Sequence, residues 1–231
     1  MRIFGLQKTT LLDYPGKLAS IIFTGGCNMN CPYCHNSELI HPITTAPFSE
    51  EEILAHLKKR ASTLEGLVIS GGECTLQKDL FDFCHKVRSL GYDIKLDTNG
   101  TAPKTLRMLT ERDLVQYVAM DIKNSKEKYP LTVGCDSFDL RPVEESVSFL
   151  MEQHVDYEFR TTLVSGFHEE EDFYSIGKWI EGADAYFLQP FKDSEQVLTK
   201  GLSSPGDLEL LRYKEIMSAY VKQAEIRGLD L

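Results

Sequence analysis

The sequence predicts an α/β fold in which a parallel sheet curls into a partial (β/α)6 barrel, and three observations predict it. Short β-rich runs alternate with amphipathic helical stretches along the chain. The runs are almost continuously apolar, the pattern of strands buried on both faces. There are six of them, too few for an eight-fold barrel. In order they are Ala19–Phe23, Gly66–Ser70, Tyr92–Asp97, Gln116–Asp121, Tyr157–Val164 and Ala185–Gln189. After the first strand, Ser49 and Glu52 form a capping box and Phe48 is placed to staple onto Ile53. Leu80, Cys84, Val87 and Leu90 share one helical face, which Gly91 ends. Pro142 opens a helix carrying Val143, Val147, Leu150 and Met151, and Phe173, Ile176 and Ile180 make a further stripe. Ser204–Pro205 starts a last helix, with Leu208, Leu211, Met217, Tyr220 and Ala224 as its expected inner face. Right-handed crossovers place the C-terminal ends of all these strands on one rim, where ligands gather in open sheets and barrels alike.

No repeat, low-complexity tract or charge block divides the 231 residues, so one domain over 1–231 is expected. Apolar residues make up 42% and charged residues 26%, an ordinary globular composition. Twenty-five Lys and Arg stand against thirty-five Asp and Glu, a net charge of −10. That balance argues against a broad phosphate-binding surface, so no nucleic-acid partner is expected. The N-terminus has no unbroken apolar stretch of a signal peptide, and no segment approaches a membrane span. Six cysteines without an export signal indicate a reducing, cytoplasmic setting in which Cys serves metal binding, catalysis or packing.

Directly after the first strand comes GGCNMNCPYCHN, with Cys27, Cys31 and Cys34 spaced C-x3-C-x2-C. Three thiolates this close can converge on one metal centre only if the backbone wraps around it, which Gly25, Gly26 and Pro32 favour. Three are one short of a fully protein-ligated 4Fe–4S cluster, which leaves one iron open to a substrate or cofactor. The alternative is a structural zinc site that adds His35. Such sites usually use two separated ligand pairs, and adjacent Cys34 and His35 would be strained at one ion.

Further motifs fall at the same rim. The second strand ends in Ser70-Gly71-Gly72-Glu73, where two glycines permit close backbone approach and a carboxylate can receive an ammonium. The third ends in Asp97-Thr98-Asn99-Gly100 and the fourth in Asp121-Ile122-Lys123. Arg160 on the fifth strand is expensive to bury without an anionic partner. Cys74 reads as a small turn residue, with a redox-active thiol near the site as the alternative, Cys84 as core and Cys135 as a free thiol.

The cysteine spacing, with aromatic Tyr33 just before the third cysteine, resembles the radical S-adenosylmethionine superfamily. The resemblance implies the radical SAM fold, and a 4Fe–4S cluster on Cys27, Cys31 and Cys34 whose fourth iron is chelated by S-adenosylmethionine. By the same resemblance Gly71, Gly72 and Glu73 hold the cofactor's amino group. The ring of Tyr33 is a candidate to pack on adenine, with a plain core aromatic as the alternative. The DTNG and DIK segments resemble glycyl-radical-enzyme activases. There Asp97, Thr98, Asn99, Asp121 and Lys123 line ribose and methionyl carboxylate, Arg160 and Thr162 lie near carboxylate and adenine, and Asp97 with Asp121 matches a monovalent-cation site. The run LLDYPGKLASIIFTGGCNMNCPYCHN is similar to the activating proteins of anaerobic ribonucleoside-triphosphate reductase. Pyruvate formate-lyase activases carry DGPG and LPYH where this chain has Asp13-Tyr14-Pro15-Gly16 and Gln189-Pro190-Phe191-Lys192; the family as a whole usually has Pro where this chain has Cys74. The implied activity is reductive cleavage of S-adenosylmethionine, with hydrogen abstraction from a glycine of a partner enzyme and with flavodoxin or ferredoxin as electron donor. Cluster and cofactor carry that chemistry, so no catalytic acid or base is expected. Three alternatives remain: an activase of another glycyl-radical enzyme, a small-molecule enzyme such as a deazaguanine synthase, which tends to have Trp where Tyr33 stands, and an iron or redox sensor without turnover.

Overall fold

The computed structural model describes residues 1–228, so the last three residues of the expected 1–231 domain lie outside the described residues. Its strands form one eight-stranded sheet in simple sequence order. β1 (Ile3–Thr10) runs antiparallel to β2 (Ala19–Thr24). From β2 onward every pairing is parallel, through β3 (Gly66–Gly71), β4 (Asp93–Thr98), β5 (Tyr117–Asp121), β6 (Asp156–Leu163), β7 (Tyr186–Pro190) and β8 (Ala224–Ile226). The six expected strands are therefore β2 to β7, each within one or two residues, arranged as a mostly parallel α/β sheet. The edge strands β1 and β8 are additions. In β1 the middle residues are half-buried or exposed, and β8 is only three residues long, so neither carries a continuous apolar run.

Among the described residues seven α-helices accompany the sheet. α1 (Glu50–Lys59) begins with the capping box, in which Ser49 Oγ accepts from the Glu52 amide at 3.2 Å and Glu52 accepts from the Ser49 amide at 2.8 Å. α2 (Leu80–Arg88) buries Leu80, Phe83, Cys84 and Val87, and Gly91 beyond it has φ of 87°. α3 (Pro103–Glu111) and the short α4 (Tyr129–Thr132) follow β4 and β5 and are additions to the expected helices; α3 buries Leu106 and Leu109 on one face. α5 (Arg141–Met151) has Pro142 in its first turn and buries Val143, Val147 and Leu150. α6 (Glu170–Trp179) buries Phe173 and Ile176, with Ile180 as its buried cap.

α7 (Asp207–Ser218) differs from expectation. Its inner face is Leu210, Tyr213, Ile216 and Met217, whereas Leu208 is 84% exposed. Leu211 is also exposed, Tyr220 lies past the helix, and Ala224 belongs to β8. Two apolar stripes compete here, and the aromatic one wins: Tyr213 stacks on Phe173 of α6 with ring centroids 4.2 Å apart. The Leu208 stripe runs instead into Arg212 and Glu215, which pair with each other at the surface.

Alternation along the strands separates two interiors. Ile22, Ile69, Leu96, Val118 and Phe159 face the helices and join the main core. Ala19, Ile21 and Val68 form a smaller cluster with Tyr14 on the inner face of the curl. The turn after β1 thus folds Tyr14 of DYPG inward, 6.1 Å from the Tyr117 ring, and a Cβ on Gly66 would collide with it.

Candidate active site

The C-terminal strand ends converge on one cavity of about 420 Å³, within the range of small-molecule sites, roughly 300–1,000 Å³. Cys27, Cys31, Tyr33 and Cys34 line one wall, Gly71 to Glu73 a second, and Asp97, Thr98, Asn99, Asp121, Lys123, Arg160 and Thr162 the floor and far side. Every residue expected at the site from sequence is in this lining.

The cysteine loop is a wrapped segment tied at both ends. The Gly26 amide donates to Leu39 O at 2.7 Å and the Cys27 amide to Ile40 O at 3.1 Å, while the Asn30 amide reaches Val133 O at 2.9 Å. The Met29 amide lies 3.4 Å from Cys27 Sγ. Burial pushes all three thiols upward, Cys31 to about 11, so in this pocket they are neutral until a metal displaces their protons. His35 is turned away from them. Its Nε2 lies 2.5 Å from Lys192 O, and its ring stacks on Phe191 at 5.3 Å. Among the described residues, no three His, Cys, Asp or Glu side chains converge on a position for one ion. The donor set thus fits a cubane, which gives each thiolate its own iron, better than a zinc site shared with His35.

The SGGE segment has an internal task besides lining the cavity. A Cβ on Gly72 would collide with the Gly26 backbone, and Gly71 adopts φ of 119° against Thr24. What these glycines approach is the start of the cysteine loop. The Gly72 amide donates to Thr24 O at 2.8 Å and the Glu73 amide to Gly26 O at 2.7 Å. The Glu73 side chain has no exposed surface. Its carboxylate accepts from the Thr75 amide at 3.1 Å, Thr98 Oγ1 at 2.8 Å, the Asn99 amide at 2.6 Å and Thr75 Oγ1. Burial raises its pKa, and these donors work in the opposite direction. Glu73 is therefore first a fastener between three loops. Asn99 continues the chain, with Nδ2 3.1 Å from Asn28 Oδ1 and 3.9 Å from Cys27 Sγ.

Across the cavity lies a layer of charge. Arg160 Nε donates to Asp121 Oδ1 at 3.0 Å, and Lys123 donates to Asp121 Oδ2 at 2.8 Å. Burial alone would raise the Asp121 carboxyl, but Arg160 and Lys123 outweigh it and hold it at about 2. Burial would likewise lower Lys123, yet Asp121 keeps it charged. Asp97 meets Lys95 at 2.6 Å and Arg160 at 3.6 Å, and these cations hold its carboxyl low against burial. All four carboxylate oxygens of Asp97 and Asp121 thus face a protein cation. The expected monovalent cation near this pair has side-chain ammonium and guanidinium groups in its place.

Tyr33 is buried, edge-on to Phe167 at 5.8 Å, and its hydroxyl has no hydrogen-bond partner. A buried polar atom left unpaired in a cavity wall suits a ligand that completes it. Cys74 is also buried, outside the cavity lining, with Sγ 3.1 Å from Asp97 O, as befits a turn residue. Lys95 was missed by sequence reasoning; its only signal was a lysine between Ile94 and Leu96 in an apolar strand.

The family model of the radical SAM superfamily matches residues 21–174, from β2 into α6. The chain belongs to the radical SAM superfamily. That family uses a 4Fe–4S cluster and S-adenosylmethionine, and the three thiols, the orphaned Tyr33 hydroxyl and the cationic layer fit both. A Methanocaldococcus jannaschii protein named as a candidate glycyl-radical enzyme activating enzyme is 33% identical over 99% of this chain and 96% of its own. The chain is thus a radical SAM enzyme of the glycyl-radical-enzyme activating type. The 7-carboxy-7-deazaguanine synthase of Thermococcus kodakarensis is 29% identical over 59% of this chain and 60% of its own. A solved domain of the Bacteroides vulgatus pyruvate-formate lyase-activating enzyme shares the fold, with a TM-score of 0.58 at 17% identity over 71% of this chain and 99% of that one.

Proposed function

We propose that this chain, acting as one domain, activates an anaerobic ribonucleoside-triphosphate reductase by taking a hydrogen atom from a glycine of that enzyme. The observation that carries the reading is the single cavity joining a three-cysteine loop to a cationic layer, in a chain with a full-length activase-like relative. Cys27, Cys31 and Cys34 would hold the 4Fe–4S cluster. The Gly71–Gly72 backbone and Glu73 would take the amino group of S-adenosylmethionine, Lys123 and Arg160 its carboxylate, and Asp97, Thr98, Asn99, Asp121, Thr162 and Tyr33 would frame the ribose and adenine. Bound together, cluster and S-adenosylmethionine supply the one-electron chemistry, with flavodoxin or ferredoxin as electron source. The protein's own task is to orient, to neutralise charge and to keep water from the reacting atoms.

The reductase is favoured over pyruvate formate-lyase because both departures from the lyase-activase pattern are built into the structure around the site. Tyr14 of DYPG, where the lyase activases have Gly, packs in the inner cluster beside Tyr117, while Gln189 of QPFK lines the cavity and Phe191 stacks on His35 beside the cysteine loop. The deazaguanine-synthase reading has a partial sequence match behind it, but the residue before Cys34 is Tyr and not the Trp those enzymes tend to carry. The test is to mix reduced protein, S-adenosylmethionine and candidate partners without oxygen and to record electron paramagnetic resonance. A doublet on the reductase, abolished by Gly→Ala in that partner, is the expected result. Cofactor cleavage accelerated only by a small molecule, with no radical on any glycyl-radical protein, would refute it.

A further inference from the structure

Lys95 is 2% exposed and does not line the cavity. Its neighbours Ile94 and Leu96 enter the main core on the helix side of β4, so strand alternation turns Lys95 to the inside of the curl. A buried ammonium needs partners, and Lys95 Nζ has one at 2.6 Å, Asp97 Oδ1. The other oxygen of Asp97 is reached by Arg160 Nη1 only loosely, at 3.6 Å, while Arg160 Nε is committed to Asp121 at 3.0 Å. Beneath them Glu158 is gripped by Arg227 at 2.6 and 2.7 Å and accepts from Tyr117 at 2.8 Å. The layer therefore holds the carboxylates of Asp97, Asp121 and Glu158 against the cations of Lys95, Lys123, Arg160 and Arg227. One positive charge is left over. Of these cations, only Lys123 and Arg160 reach the cavity.

We infer that Lys95 is a positioning residue: by occupying Oδ1 of Asp97 it leaves the Nη1 end of Arg160 only loosely held, and so able to meet the carboxylate of a bound ligand while Nε stays on Asp121. The inference rests on the cofactor site proposed above and adds a residue that never meets the cofactor. Without Lys95 the layer is neutral. Asp97 then presents two free oxygens to Arg160, and a bidentate carboxylate–guanidinium pair is the strongest arrangement open to them. Arg160 is drawn down into the wall and its surplus charge is spent there.

The experiment compares two ligands by calorimetry on the anaerobically reconstituted protein: S-adenosylmethionine and its decarboxylated analogue. Lys95→Met is expected to weaken S-adenosylmethionine about tenfold, the effect of one lost charge-assisted hydrogen bond. The analogue, which has no carboxylate to recognise, should change by less than about twofold on the same argument. Adding Asp97→Asn to Lys95→Met removes the competitor for Arg160 and should recover most of the lost selectivity, which repair of a purely structural defect would not do. Lys95→Gln keeps a donor to Asp97 without the charge; it should show a smaller loss in the same direction and serves where Lys95→Met does not fold. Equal weakening of both ligands, or none, while Arg160→Met still discriminates between them, overturns the role of Lys95 and leaves the cofactor site standing. Failure of Arg160→Met to discriminate overturns the placement of the carboxylate and the inference with it.

Discussion

Glu73→Ala separates a fastener from a simple ligand contact. The carboxylate closes four internal hydrogen bonds, two of them from the backbone amides of Thr75 and Asn99. On its removal the hydroxyls of Thr75 and Thr98 can rotate toward other acceptors, but the two amides cannot. A buried amide left without an acceptor costs about 1–3 kcal/mol, so two cost ~4 kcal/mol at the midpoint. That is a large part of the roughly 5–15 kcal/mol that holds a domain folded. For a chain of this size each kcal/mol moves Tm by roughly 2–4 °C, so Tm should fall by roughly 8–16 °C. Glu73→Gln strands one amide, because its single oxygen can accept from only one of the two and its NH2 group is itself a donor, and should fall by about half as much. Thermal unfolding followed by circular dichroism on the metal-free chain reads the effect without any cofactor. The reasoning is refuted if Glu73→Ala unfolds within about 2 °C of the parent and the only loss is in cofactor affinity.

Alanine at Cys27, Cys31 or Cys34 should abolish iron and sulfide retention after anaerobic reconstitution, whereas Cys84→Ala and Cys135→Ala should retain both, as read by iron and sulfide analysis. Cys74→Pro should keep cluster and cofactor cleavage. Glu73 before it is already extended at φ −118° and ψ 106°, as a residue preceding proline must be, and position 74 opens a 3-10 turn. Loss of cleavage in that variant with an intact cluster would assign Cys74 a redox role. Asp121, held near 2 against an ordinary 3.8, contributes stability that is present above pH 4 and lost as pH falls through 2, about 2 kcal/mol in all. Chemical denaturation of Asp121→Asn across that interval should show a correspondingly shallower decline than the parent, and parallel declines would refute the ion-pair account.

The parallel strands and the cysteine loop were legible in the sequence because each is specified locally. Continuous apolar runs such as Ile21–Phe23 and Leu67–Ile69 have one stable placement, and C-x3-C-x2-C leaves few structures that use it. What was not legible depends on choices between comparable alternatives. Leu208 and Leu210 are equally good core residues, and only the aromatic face of α6 decides for Tyr213 and Leu210. The glycines of SGGE line the cavity as expected; that they also admit the Thr24–Gly26 backbone follows from the β2–β3 register, which no local pattern encodes. Glu73 as a fastener and Lys95 as a buried cation likewise arise from contacts across strands, Thr98 and Asn99 for one and Asp97 for the other. Charged residues on a parallel sheet read as strand ends or defects until their partners are known.

The central claim is that one cavity joins the cysteine loop to the carboxylate-binding cations as a single cofactor site. The most direct measurement is the electron paramagnetic resonance spectrum of the reduced, anaerobically reconstituted protein with and without S-adenosylmethionine. The account predicts the signal of a reduced 4Fe–4S cluster that changes shape on addition of the cofactor, with the change requiring a much higher cofactor concentration in Arg160→Met. A protein that instead retains stoichiometric zinc and shows no such signal, or a cluster signal indifferent to S-adenosylmethionine, would contradict it.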